Sequence, residues 1–186
     1  MAHSISGKRV AFLLTHGVEQ PELTEPWKAV QDAGGQPVLI APEKGEVRAM
    51  KGDWERGDSF PVDQTLDEAD PADFDALVLP GGVINADHLR TDRKAVAFAT
   101  HFKDTGKPIA AICHALWLLA EADVVKGREL TSYKSLATDL KNAGATWVDR
   151  EVVTDRGLTT SRHPGDLPAF CSTMIEEIAE GQHAPG

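Results

Sequence analysis

Residues 107–121, Lys-Pro-Ile-Ala-Ala-Ile-Cys-His-Ala-Leu-Trp-Leu-Leu-Ala-Glu, constrain the fold more than any other stretch of the chain. Ile109 to Ile112 has the unbroken apolarity of a strand buried on both faces, and it passes directly into helical spacing at Leu116, Leu119 and Ala120. Cys113 and His114 occupy the junction. A strand that turns sharply into a helix holds its corner side chain out at the C-terminal edge of the sheet. The helix start beside it offers free N–H groups and a positive dipole end. A thiol at such a corner is expected to ionise more easily than a free one, which suits a nucleophile or a redox-sensitive thiolate. Cysteine is also among the most buried residue types, so a packing role is the ordinary alternative. The junction and the adjacent histidine favour a functional Cys113. Cys171, beside Phe170, Met174 and Ile175, reads as core.

The rest of the chain alternates strand and helix signals. Val10 to Leu14 is an apolar run. A loop from Thr15 to Thr24 follows, carrying His16, Gly17, Glu19 and Glu22, and a helix is predicted from about Thr24 to Gly34, with Pro26 in its first turn. Pro37 to Ala41 and Asp75 to Leu79 read as further strands, the latter stopped by Pro80-Gly81-Gly82. Residues 42–65 read as an excursion with one or two short strands. Helices are predicted over about 91–104, 136–143 and 164–180. Val152-Val153 and Leu158 to Thr160 flank Asp155-Arg156-Gly157 as a hairpin. This pattern predicts a three-layer α/β/α sandwich with a mostly parallel central sheet, in one domain over residues 1–186, with about 1–7 and 181–186 loose. Ligand sites in such sheets lie beyond the carboxyl ends of the strands. The Glu19 loop, the Gly81-Gly82 loop and the Cys113-His114 elbow all end there.

Several function classes are disfavoured by composition. The 186-residue chain carries a formal net charge of −10, which argues against nucleic acid and anionic membrane surfaces as partners. No apolar run approaches the roughly 18 residues of a membrane span. The first residues lack the apolar core of a secretory signal, so the expected location is the cytoplasm, where two cysteines default to free thiols. There is no metal-type spacing of His or Cys and no glycine-rich phosphate loop, so no metal and no cofactor is expected.

Around Cys113 the candidate groups follow from proximity in such a fold. His114 is a candidate base, given an orienting partner on its other nitrogen. A loop carboxyl near the thiol would either donate a hydrogen bond to sulfur or, if ionised, repel the thiolate. From the residues alone Glu19 does not stand above Glu22 or Glu25. Backbone N–H groups of Gly82, Val83 and His114 are candidate oxyanion donors. Asp87 or His88 could cap the following helix.

Taken together, Gly17-Val18-Glu19-Gln20-Pro21-Glu22-Leu23, Phe74 to Gly82, Lys107 to His114, Gly144-Ala145-Thr146-Trp147-Val148-Asp149 and Thr160-Ser161-Arg162-His163-Pro164-Gly165-Asp166-Leu167-Pro168-Ala169-Phe170 resemble the PfpI-type intracellular proteases. These stand within the superfamily of the parkinsonism-associated protein deglycase. The resemblance covers nearly the full length. It implies a flavodoxin-like sandwich, a homo-oligomer with the site near a subunit interface, Cys113 as nucleophile, Glu19 hydrogen-bonded near its sulfur and His114 as base or acid. It also implies that Asp87 of a neighbouring subunit completes the set. Ala115 stands where the family often has glycine, which could narrow the pocket. The implied substrates are small carbonyl compounds or peptides, in hydrolysis or in glyoxalase- or deglycase-type detoxification under stress. The alternative is a redox sensor or chaperone-like protein that uses an oxidisable Cys113 with little turnover.

Overall fold

Strand β1 (Arg9–Leu13) shows how the layers form. Ala11 and Leu13 join one apolar cluster, Val10 and Phe12 the other, and all four are buried. Two-sided burial of this kind is what a parallel sheet covered on both faces requires. The computed structural model describes residues 3–184; Met1, Ala2, Pro185 and Gly186, part of the ends expected to be loose, lie outside the described residues.

In chain order β1 is followed by α1 (Gln20–Asp32), β2 (Gln36–Ala41), β3 (Glu46–Lys51), β4 (Glu55–Pro61), β5 (Gln64–Thr65) and β6 (Ala76–Leu79). Then come α2 (Val83–Arg90), α3 (Arg93–Thr105), β7 (Ile109–Ile112), α4 (Leu116–Glu121), β8 (Glu129–Leu130), α5 (Ala137–Asn142) and β9 (Thr146–Trp147). The chain continues through β10 (Val153–Asp155) and β11 (Leu158–Ser161) into α6 (Leu167–Glu180). The seven-stranded sheet has the order β10-β11-β7-β6-β1-β2-β5, parallel except for the edge strand β10. Residues of α2, α3, α4 and α5 cover one face. Residues of α1, α6 and β3 cover the other. The chain is thus an α/β/α sandwich with a mostly parallel sheet.

Two features position the site. From β1 the chain moves outward to β2 and later returns to place β6 on the other side of β1, so the crevice between β1 and β6 is a topological switch point. The excursion after β2 is an antiparallel hairpin, β3–β4, and an isolated parallel bridge between Glu19 and Met50 attaches it to the start of α1.

Apart from shifts of a few residues at element ends, the expectations around the site change at α1 and α2, the latter a helix not expected from the sequence. Helix α1 begins at Gln20 with Pro21 in its first turn, and Pro26 lies inside it. Glu22 is therefore a helical residue, not a loop residue. Asp87 and His88 do not cap a helix: they lie inside α2, whose cap position is Gly82, while Asp92 caps α3 by accepting from the N–H groups of Lys94 and Ala95. Near the chain ends some described residues make contacts with the body of the fold. Ile5 is buried and its N–H donates to Ala33. At the other end His183 N–H donates to Gly106 O, and Gln182 Nε2 to Thr105 O.

Candidate active site

Cys113 adopts a left-handed backbone conformation, φ 64°. Such a conformation is uncommon outside glycine and is worth explaining where a reactive side chain adopts it. Here it ends β7 and begins the 3-10 turn Cys113–Ala115 that leads into α4. The turn throws the thiol toward the α1 and α6 side of the sheet, while Ala115 packs into the opposite cluster with α2 and α3. The Ala115 side chain therefore belongs to the core rather than to the reactive pocket.

The carboxyl beside the thiol is that of Glu22. Its side chain is fully buried, Oε1 accepts from Gly81 N–H at 3.0 Å, and Oε2 has no hydrogen-bond partner among the described residues. A Cβ added at Gly81 would lie 2.3 Å from Glu22 Oε1 and 2.8 Å from Cys113 Cβ, so this glycine leaves room for the two side chains to meet. The expected partner, Glu19, is elsewhere. It sits at the cap position of α1, and its Oε1 accepts from Gly52 N–H at 2.9 Å in the β3–β4 turn. The physical reason is the start of α1: with Glu19 at the cap, Glu22 falls in the first turn and faces inward.

Burial above all raises the Glu22 pKa, and the negative charges of Glu19 and Asp53 add to it; the Gly81 N–H works in the other direction. Cys113 is also raised, first by burial and then by the charge of Glu22, against the N–H groups of His114 and Gly82. The expected easily ionised thiol is thus not what the surroundings favour: burial opposes the thiolate first, and a charged Glu22 opposes it further. The two groups are coupled: one proton retained on Glu22 removes the charge that opposes the thiolate.

His114 Nδ1 lies 3.1 Å from Cys113 Sγ. Its ring stacks on Tyr133 with centroids 4.7 Å apart and meets Trp117 edge-on at 5.3 Å. Burial lowers its pKa, and Asp53 pulls it partly back. Among the described residues no side chain accepts from its Nε2. Asp87 is exposed on α2 and makes no polar contact with His114 within the described residues.

The expected oxyanion donors divide. The N–H groups of Gly82 and His114 are the backbone donors that favour the Cys113 thiolate. Val83 N–H is already taken by Asp53 Oδ1 at 3.1 Å, which removes it as a free donor. Sequence reasoning missed two residues. Asn85, buried on α2, donates to Pro80 O and Gly81 O and accepts from Thr15 N–H, tying the loops after β1 and β6 together. Asp53 comes from the hairpin turn, and only the pairing of that hairpin with α1 brings it here. Cys171 is partly buried, with its thiol pushed up to about 12 by burial and the charge of Glu25. Among the described residues the group with metal-ligating geometry is Glu177, Glu180 and His183, whose ligand atoms lie within 4.8 Å of one another. It lies where the tail returns to Gly106, just before β7, at the end of that strand opposite to Cys113.

Against known proteins, the model of the DJ-1/PfpI family matches residues 8–177. The chain belongs to the DJ-1/PfpI family. Among its relatives in the family is Protein/nucleic acid deglycase 2 of Escherichia coli, 45% identical over 165 residues, which are 88% of this chain and 93% of that one. General stress protein 18 of Bacillus subtilis is 43% identical over 166 residues, covering 88% and 94%. The crystal structure of Drosophila melanogaster DJ-1beta superposes with a TM-score of 0.84 at 30% identity, over 94% of this chain and 91% of that chain. Deglycase activity is thus represented among DJ-1/PfpI relatives of this chain. No helix among the described residues is long and apolar enough to cross a membrane.

Proposed function

We propose that this protein is a cysteine enzyme of deglycase type, in which Cys113 attacks the carbonyl carbon of a small aldehyde or of an adduct that such an aldehyde has formed. One observation carries the reading: a single thiol, on a left-handed elbow, stands beside a buried carboxyl and 3.1 Å from an imidazole nitrogen. The thiol proton passes to His114 Nδ1, which low basicity keeps free to accept. Sulfur forms a bond to the carbonyl carbon, the π pair moves to oxygen, and the imidazolium returns the proton there, giving a hemithioacetal. With Glu22 protonated, its O–H faces sulfur as a donor, so the thiolate is stabilised and not repelled. Deep burial of the thiol supports a small carbonyl compound over a folded polypeptide; Cys113 is 7% exposed.

The site is proposed to be completed by a second copy of the chain, whose exposed Asp87 would accept from His114 Nε2. Support comes from the lack of an acceptor for that nitrogen within the described residues. A cytoplasmic role in stress fits the free thiols and the family resemblance. The test is a screen of methylglyoxal, glycated amines and unmodified peptides with wild type and Cys113→Ala. Cys113-dependent turnover of the first two is expected. Peptide hydrolysis alone would move the reading to a protease, and no turnover, with peroxide-dependent oxidation of Cys113, would move it to a redox sensor.

A further inference from the structure

The charges that reach the reactive centre are all of one sign. Those acting on Cys113 come from Glu22 and Asp53, those acting on Glu22 from Glu19 and Asp53, and the one acting on His114 from Asp53. Asp53 is common to all three. Its position is built rather than incidental. Glu19 Oε1 holds the preceding N–H, that of Gly52. Asp53 itself takes a left-handed conformation, φ 64°, and its Oδ1 accepts from Val83 N–H at 3.1 Å, two residues after Gly81, where an added Cβ would lie 2.8 Å from Cys113 Cβ. A carboxylate at the start of α2 is electrostatically favoured there. Trp54, the next residue, stands 91% exposed at the same turn.

We infer that Asp53 is a specificity-determining residue, which makes the Cys113 site accept uncharged or cationic carbonyl compounds and reject carboxylate-bearing ones such as 2-oxo acids. The inference rests on the proposed role of Cys113 as the attacking group. If Glu22 is neutral, as its burial favours, Asp53 is the remaining carboxylate whose charge acts on the thiol among those named. An incoming carboxylate is opposed by it, whereas an ammonium or guanidinium group is attracted, and the open indole face of Trp54 suits the same cations. Replacing Asp53 by Asn keeps an oxygen that accepts from Val83 N–H and removes the charge alone.

The test uses two alkylating reagents of similar size and opposite suitability, neutral iodoacetamide and anionic iodoacetate. In both, the thiolate forms a bond to the reagent's methylene carbon and iodide leaves. The rate ratio at Cys113 is read by peptide mass mapping, with Cys171 in the same chain as internal reference. In wild type the iodoacetate-to-iodoacetamide ratio at Cys113 is expected to lie below that of a free thiol. Asp53→Asn is expected to raise it by about tenfold, the order of effect of one unit charge in a partly wetted site. Asp53→Ala should raise it similarly, and neither should move the ratio at Cys171. The selectivity for methylglyoxal over glyoxylate in kcat/KM should narrow in parallel. An unchanged ratio in Asp53→Asn, with Cys113-dependent turnover intact, overturns this inference and leaves the proposed function standing. A Cys113 that reacts with neither reagent and supports no turnover overturns both.

Discussion

Replacing Glu22 separates charge from hydrogen-bonding capacity at Cys113. Glu22→Gln retains a donor toward sulfur and cannot ionise, whereas Glu22→Leu has neither property. A hydrogen bond to a charged group contributes about 1.5–3 kcal/mol, so the thiolate of the Leu variant should form about one to two pH units higher than that of the Gln variant. Ultraviolet absorbance of the thiolate against pH measures both; identical titrations would remove Glu22 from the thiol's environment. The same residue sets a pH dependence of stability. Its folded pKa is raised by burial above the unfolded value of about 4.3. Above that pH the unfolded chain has released a proton that the folded chain still holds. Stability from this group is therefore complete at lower pH and falls as pH rises toward the folded pKa. Denaturant unfolding from pH 4.5 to 8 should show that slope in wild type and a flatter one in Glu22→Gln. The thiol itself was legible in the sequence, because an apolar strand running into helical spacing leaves little freedom for the residue between. Its carboxyl partner was not, because two prolines compete to mark the start of one helix. Reading Pro26 as first-turn proline leaves Glu22 in a loop; Pro21 is the one that occupies that place.

At the scale of elements, the site depends on three chain segments approaching without side chains between them. Gly81 lies where β6 gives way to α2, and a Cβ there would also come within 2.8 Å of Ile112 O at the end of β7. Gly82, at φ 96°, would bring a Cβ within 2.3 Å of Gly17 O. Gly81→Ala is expected to displace Glu22 or Cys113, lowering kcat/KM by at least about 100-fold and stability by about 1–3 kcal/mol. Enzyme assay and chemical denaturation on one preparation check both; near wild-type activity would show that the segments can part without harm. The strands and the elbow were readable because local apolar pattern dictates them. The hairpin's contribution was not. Residues 46–61 show only a charged, glycine-containing stretch, and it is the long-range bridge from Glu19 to Met50 that sets Asp53 against α2. The same contact explains why Glu19, though close to the centre, holds a backbone N–H instead of the sulfur.

For the whole molecule, an acceptor for His114 Nε2 becomes a matter of assembly. Inactive Cys113→Ala and inactive Asp87→Ala proteins, dissociated and reassociated together, are expected to recover part of the wild-type activity, because some mixed interfaces carry both native residues. Recovery is read against each variant reassociated alone. Dilution should reduce activity while circular dichroism stays constant. Full activity in a demonstrated monomer would return Asp87 to an ordinary exposed helix residue. The edges of the central sheet narrow the ways in which copies can meet. One edge is β5, two residues long, and the other is β10, three residues long and running against its neighbour. Each offers too few free backbone groups to template a further strand, which is how natural sheets avoid merging end to end. The central sheets of two copies are thus denied edge-to-edge pairing, which leaves contact between copies to the helices, the loops and the β3–β4 hairpin, the same elements that frame Cys113.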